Sequence, residues 1–96
     1  MEIRLRSVLS IAEVLGGKEH ILHIDNGVNV EGFISLLLKK HGKRLQKLIL
    51  QSLEPMELAP NVNIYVNGRS IIFIDGLQTV LHEDNDVLIM PQVSGG

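Results

Sequence analysis

The spacing of apolar and polar positions divides the chain into a first third of short alternating runs, a middle of helical spacing, and a last third of strands and turns. In residues 2–8 (EIRLRSV), Ile3 and Leu5 fall on one side and Arg4 and Arg6 on the other. That period of two predicts a half-buried strand. Residues 9–17 predict a short helical turn ended by Gly16-Gly17, and residues 20–25 (HILHID) a second short strand folded back on the first. Asn26-Gly27 marks a turn. The period then changes to 3.6, and Val30, Phe33, Ile34, Leu37, Leu38 and His41 form one stripe of a helix. Asn29 suits its N-cap, Glu31 its first turn, Lys39 and Lys40 its last turn, and Gly42 its end. Gly32 inside the helix costs about 1 kcal/mol against alanine, so a close approach is expected there. Leu45, Leu48, Ile49 and Leu53 continue at a looser spacing and predict a second, shorter helix up to Pro55, followed by a loop over 54–61.

In the last third, NIYV, Asn67-Gly68 and RSIIFID predict a hairpin, because Asn-Gly adopts the positive φ angles of a type I′ turn. Asp75-Gly76 turns again, 77–81 predicts a short helical turn, and DVLIMPQV a final strand whose VLIM run is nearly continuously apolar, as a central strand should be. A sheet of four or five strands and one main helix must bury their single apolar sides against each other. With the helix as crossover between two hairpins, the first and last strands become parallel neighbours in the middle of a mixed sheet. The fold class is α+β, a ubiquitin-like β-grasp. One domain is expected over 1–93, with 94–96 as a C-terminal tail.

Composition narrows the chemistry. Of 96 residues 45% are apolar, enough for a core, and the N-terminus lacks the long apolar stretch of a signal peptide or membrane span. A cytoplasmic protein with no membrane partner is expected. No cysteine is present, so thiolate metal sites and cysteine nucleophiles are excluded. Residues 1–48 hold eight Lys/Arg and five Asp/Glu (+3) and residues 49–96 one and six (−5), for a net charge of −2. This asymmetry gives the domain an electric dipole, and the acidic half points to a basic groove on a partner. The one basic cluster, 39-KKHGKRLQK-47, reads as a solvated helix end, and with Phe33, Tyr65 and Phe73 as the only aromatics no nucleic-acid partner is expected. His20 and His23 are three apart on a strand and point to opposite faces, so they cannot share an ion; no metal site is expected from them, from His41 or from His82. The acidic turn 83-EDND-86 lacks the twelve-residue calcium loop, and Gly16-Gly17 is not followed by the Lys-Ser/Thr of a phosphate loop. No enzyme active site is expected on the side chains.

Two readings of MPQVSGG, residues 90–96, remain: a frayed end, or a terminal carboxylate that is itself the working part, the second favoured by a β-grasp that ends there. A terminal carboxylate is inert until adenylation makes it a mixed anhydride with AMP as leaving group. A sulfur donor then yields a thiocarboxylate, and a lysine amine yields an isopeptide bond. Glycine suits a tail threaded into a narrow channel because it has no Cβ.

VNGR at 66–69 followed by IIFIDGLQTVL, and then EDNDVLIMPQVSGG at 83–96, resemble the MoaD/ThiS family of sulfur carriers, which includes the small subunit of molybdopterin synthase and archaeal ubiquitin-like small modifier proteins. The resemblance spans nearly the whole chain, with 10-SIAE-13 matching a short S-x-x-E segment; Pro91-Gln92 stands where a Pro-Pro pair is frequent, and 43–61 follows no family pattern. It implies that Gly96, preceded by Gly95, is adenylated by a ubiquitin-activating-type adenylyltransferase that uses ATP, the carrier itself binding no cofactor. The resulting thiocarboxylate would serve a large synthase subunit (MoaE-like) in molybdenum cofactor synthesis. In the archaeal modifiers the same terminus is joined to lysines, and a ThiS-type role in thiamin thiazole synthesis is a further alternative.

Alternation along the strands adds a docking face. With Ile64, Val66, Ile71, Phe73, Val87 and Ile89 toward the helix, Tyr65, Ile72, Leu88 and Met90 point away from it. An apolar cluster on the uncovered side of a sheet is either an aggregation liability or a partner surface. The resemblance implies a partner, since family members present an apolar sheet face near the tail to their activating enzymes, and together with Pro91, Val93 and Ser94 these four residues form that expected contact.

Overall fold

Strands β1 (Glu2–Ser7) and β2 (Glu19–His23) form the expected antiparallel hairpin, with Ile3 opposite Leu22 and Leu5 opposite His20. The structure, a computed structural model, describes residues 1–91. Helix α1 (Leu9–Leu15) fills the connection, buries Ile11, Ala12 and Leu15, and stops at Gly16.

Helix α2 (Val30–Ile49) starts where the capping pattern places it: Asn29 Oδ1 accepts a hydrogen bond from the Gly32 amide at 2.8 Å. Gly32 is indeed crowded, since a Cβ there would lie 3.1 Å from Val28 Cγ1 and 3.3 Å from Asn29 Oδ1. The helix breaks at Gly42, whose φ of 69° and ψ of −152° are open to glycine almost alone. The stretch before the break buries Val30, Phe33, Ile34 and Leu37, and the stretch after it buries Leu45 and Ile49. The second helix ends earlier than its apolar spacing predicts. At Leu50 the backbone turns extended, and β3 (Leu50–Leu53) pairs with β4 (Met56–Leu58) as a two-stranded sheet in place of a helix end and a loop. The turn buries Leu50 and lets the Ala59 amide donate to the Ile49 carbonyl at 2.8 Å, satisfying a carbonyl orphaned at the helix end.

The main sheet is completed by β5 (Val62–Val66), β6 (Arg69–Ser70) and β7 (Asp86–Pro91), in the order β2-β1-β7-β5-β6. As expected, β7 is central: it runs parallel to β1, with Leu5 beside Val87, and antiparallel to β5, with Ile64 opposite Ile89. Asn67 (φ 51°) and Gly68 (φ 83°) both take the positive angles of the hairpin turn. Ile3, Leu5, Ile64, Val66, Val87 and Ile89 are buried on the helix-covered face, each contributing about 1.5–3 kcal/mol relative to exposure. The result is the mixed five-stranded β-grasp of the element order, with the β3–β4 hairpin added.

The strand RSIIFID does not form. β6 stops at Ser70, and Ile71–Phe73 curl into a 3₁₀ turn. Ser70 Oγ accepts the Ile72 amide at 3.3 Å, and Arg69 Nη2 donates to the Phe73 carbonyl at 3.0 Å. These local polar partners compete with a sheet ladder and pull the chain off the edge. Ile71 is buried as expected, but Phe73 is 72% exposed and leaves the core it was assigned to. A second 3₁₀ turn, Gly76–Gln78, stands for the expected helical turn at 77–81. Among the described residues, no helix is long and apolar enough to cross a membrane.

Candidate functional site

On the sheet face away from α2, Tyr65 lies opposite Leu88 and Asn63 opposite Met90. Tyr65 and Leu88 are half-buried, and Met90 is 37% exposed. Asn63 fixes this corner: its Oδ1 accepts the Ile64 amide and the Ser70 hydroxyl, each at 2.9 Å, and its Nδ2 donates to the Tyr65 hydroxyl at 3.4 Å. Tyr65, Leu88 and Met90 therefore share one face in adjacent strands. Ile72 does not join them as a strand residue. It stands 73% exposed on the 3₁₀ turn, at the rim of a groove also lined by Met56, Leu58, Val62 and Leu77. Pro91 closes β7 opposite Val62. The expected contacts Val93 and Ser94 and the expected reacting residues Gly95 and Gly96 lie outside the described residues.

The charged groups around this face serve the fold. Arg6 Nε donates to both carboxylate oxygens of Asp86, at 2.9 and 3.0 Å, across the β1–β7 junction. Such a solvated pair adds less than about 1 kcal/mol. Asp86 also exchanges backbone bonds with Asn67, its amide donating to Asn67 Oδ1 at 2.7 Å and its carbonyl accepting the Asn67 amide at 2.8 Å. Glu83 accepts the Glu2 amide at 2.8 Å. The acidic turn is thus tied to the start of β1, at the end of the sheet opposite Pro91. Its position gives no support to a basic partner groove at the tail.

Among the described residues, no group of three or more His, Asp or Glu is placed to hold a metal ion. His20 shares the face of Leu22 while His23 is exposed on the other, as the strand period requires. His41 is partly buried, and its pKa is lowered from the ordinary 6.5 by burial first and then by Lys40 and His20, with a backbone hydrogen bond at Val14 acting the other way. The native state therefore favours the neutral imidazole. Its contribution to stability is fully present above 6.5 and is lost as pH falls through the lower folded value. Urea unfolding through and below that pH should show falling stability, and His41→Gln should flatten the fall; equal slopes in both proteins would contradict it.

Residues 10–96 match the model of the ThiS family. Along the whole of both chains, the sequence is 31% identical to small archaeal modifier protein 3 of Haloferax volcanii. The solution structure of the Haloferax volcanii HVO 2177 protein is 30% identical, superposes with a TM-score of 0.80, and covers 100% of this chain and 87% of that one. The solution structure of the small archaeal modifier protein 1 from Methanosarcina acetivorans is 26% identical, with a TM-score of 0.79 and coverage of 99% and 96%.

Proposed function

The chain belongs to the ThiS family, and from that premise we propose that it is a sulfur carrier whose Gly96 carboxylate is activated and loaded with the sulfur that is transferred. The observation that carries the reading is the family match running through Gly95-Gly96, on a fold whose last described strand is clamped between β1 and β5. The protein supplies a carboxylate and a rigid support for it, and acts as co-substrate of other enzymes. A Gly96 carboxylate oxygen attacks the α-phosphorus of ATP on a ubiquitin-activating-type adenylyltransferase, and pyrophosphate leaves. Hydrosulfide, delivered by a sulfur donor, then attacks the acyl carbon, the bond to AMP breaks, and a thiocarboxylate remains. In the leading form of the proposal that sulfur goes to a molybdopterin precursor on a MoaE-like large subunit.

Full-length identity to small archaeal modifier protein 3 favours a second reading, in which a lysine amine attacks the adenylate and Gly96 becomes an isopeptide. Both readings share the adenylate and part at the nucleophile. With the activating enzyme of the same organism, ATP and a sulfide donor, intact mass should rise by about 16 Da, the replacement of oxygen by sulfur. Branched Ser-Gly-Gly peptides on cellular lysines would establish the second outcome. A protein that gives neither adenylate nor mass change refutes both.

A further inference from the structure

We infer that Leu9 is an anchor by which the enzyme that activates Gly96 holds this carrier, a contact that rests on the function proposed above. Leu9 opens α1 with a φ of 56°, in the left-handed region that a bulky L-residue seldom occupies. The side chain gains no burial from it, being 64% exposed. A strained backbone that holds an apolar side chain in solvent is a feature the isolated fold does not need. Strain of this kind gathers at functional positions.

Chain order places Leu9 just beyond the end of β1 that lies beside the end of β7. Ser7 pairs with Ile89 in the parallel β1–β7 ladder, so Leu9, two residues on, lies at the end of the sheet where Pro91 closes β7. Five residues separate Pro91 from the end of Gly96, and fully extended they span at most roughly 18 Å. An enzyme whose reaction centre holds Gly96 must therefore cover the surface around Pro91. Leu9 and Met90 are both exposed apolar residues, and both follow the Ser7–Ile89 pair, the last of the β1–β7 ladder.

Charge specifies the partner's complement. Two shallow hollows flank the start of α1, one between Leu9 and Lys18 and one between Ser10 and Arg44 with Lys47. Their charged lining residues are Lys18, Arg44 and Lys47, with Glu13 the one acid. The acidic turn lies at the far end of the sheet, where Glu83 and Asn85 hold the start of β1. The fitting partner surface is an apolar socket for Leu9 with carboxylates on its rim.

The test is ATP–pyrophosphate exchange by the activating enzyme with full-length carrier as the varied substrate. Leu9→Gly and Leu9→Asn suit the positive φ, so thermal unfolding should be unchanged or shifted upward. In both variants KM for the carrier should rise roughly tenfold, the size of a single interface anchor, with kcat retained. Added salt should raise the KM of the natural protein as the cationic rim is screened. Val80→Ala, which trims a residue 47% exposed but bridged to Asn29 at the start of α2, should leave KM unchanged. Unchanged KM in both Leu9 variants overturns the inference and leaves the proposed function standing. Unchanged KM with lost self-association would assign Leu9 to a contact between copies instead. No exchange with the natural carrier overturns both.

Discussion

Removing Gly95 and Gly96 should abolish adenylate formation and sulfur loading while leaving the unfolding midpoint where it was. Every buried apolar residue among those described precedes Pro91, so the truncation takes nothing from the core. What it removes is reach. Each residue carries the carboxylate about 3.3–3.6 Å, a step as large as the whole near-attack separation of about 3–3.5 Å. Appending one residue after Gly96 should therefore be nearly as damaging as deleting two. Pyrophosphate exchange measured beside thermal melts separates the two quantities. Exchange that survives truncation would show that the terminus is idle and the protein an ordinary interaction domain.

Phe33→Ala should have the opposite signature, a large loss of stability with chemistry intact in whatever fraction stays folded. Phe33 is the bulkiest fully buried side chain, on the α2 stripe between Val30 and Leu37. Truncating a buried phenylalanine typically costs about 3–5 kcal/mol through lost transfer energy and the cavity left behind. Small domains have only about 5–15 kcal/mol in total. Denaturant melts should show the midpoint falling by a third or more, and Phe33→Leu should recover much of it. A loss below about 1 kcal/mol would mean that the core collapses around the gap.

Where one periodicity runs long enough to dominate its neighbours, the sequence is readable. The Val30–His41 stripe locates α2 and its cap, and the Ile3–Leu5 alternation together with the VLIM run identifies the two strands that meet in the middle of the sheet. Short elements offer no such run. Leu50–Leu53 fits a helix by apolar spacing, and what favours a strand there is the pairing with Met56–Leu58 and the Ile49 carbonyl that Ala59 satisfies, neither of which shows in the spacing. Ile71–Phe73 is a β-prone apolar run after an Asn-Gly turn and reads as a strand, but Arg69 and Ser70 supply nearer partners. The Gly-Gly end is visible in sequence because it stands out against a chain with no other chemistry. Leu9 is not visible, since positive φ is signalled by glycine or asparagine and a leucine gives no hint of it.

The central place of β7 has a consequence for biosynthesis. β1 and β5 both emerge from the ribosome before the strand that must lie between them, and Arg4 waits for Asp86 across most of the chain. Until then the two have no shared ladder, and the apolar faces of α2 and the first hairpin lack their principal cover. Such non-local closure is slow to form and cannot begin early. A nascent chain therefore remains without its fold until the segment leading into the tail has been made. A chain terminated before Asp86 lacks the strand that joins β1 to β5, and with it the ladder on which the two halves of the sheet close.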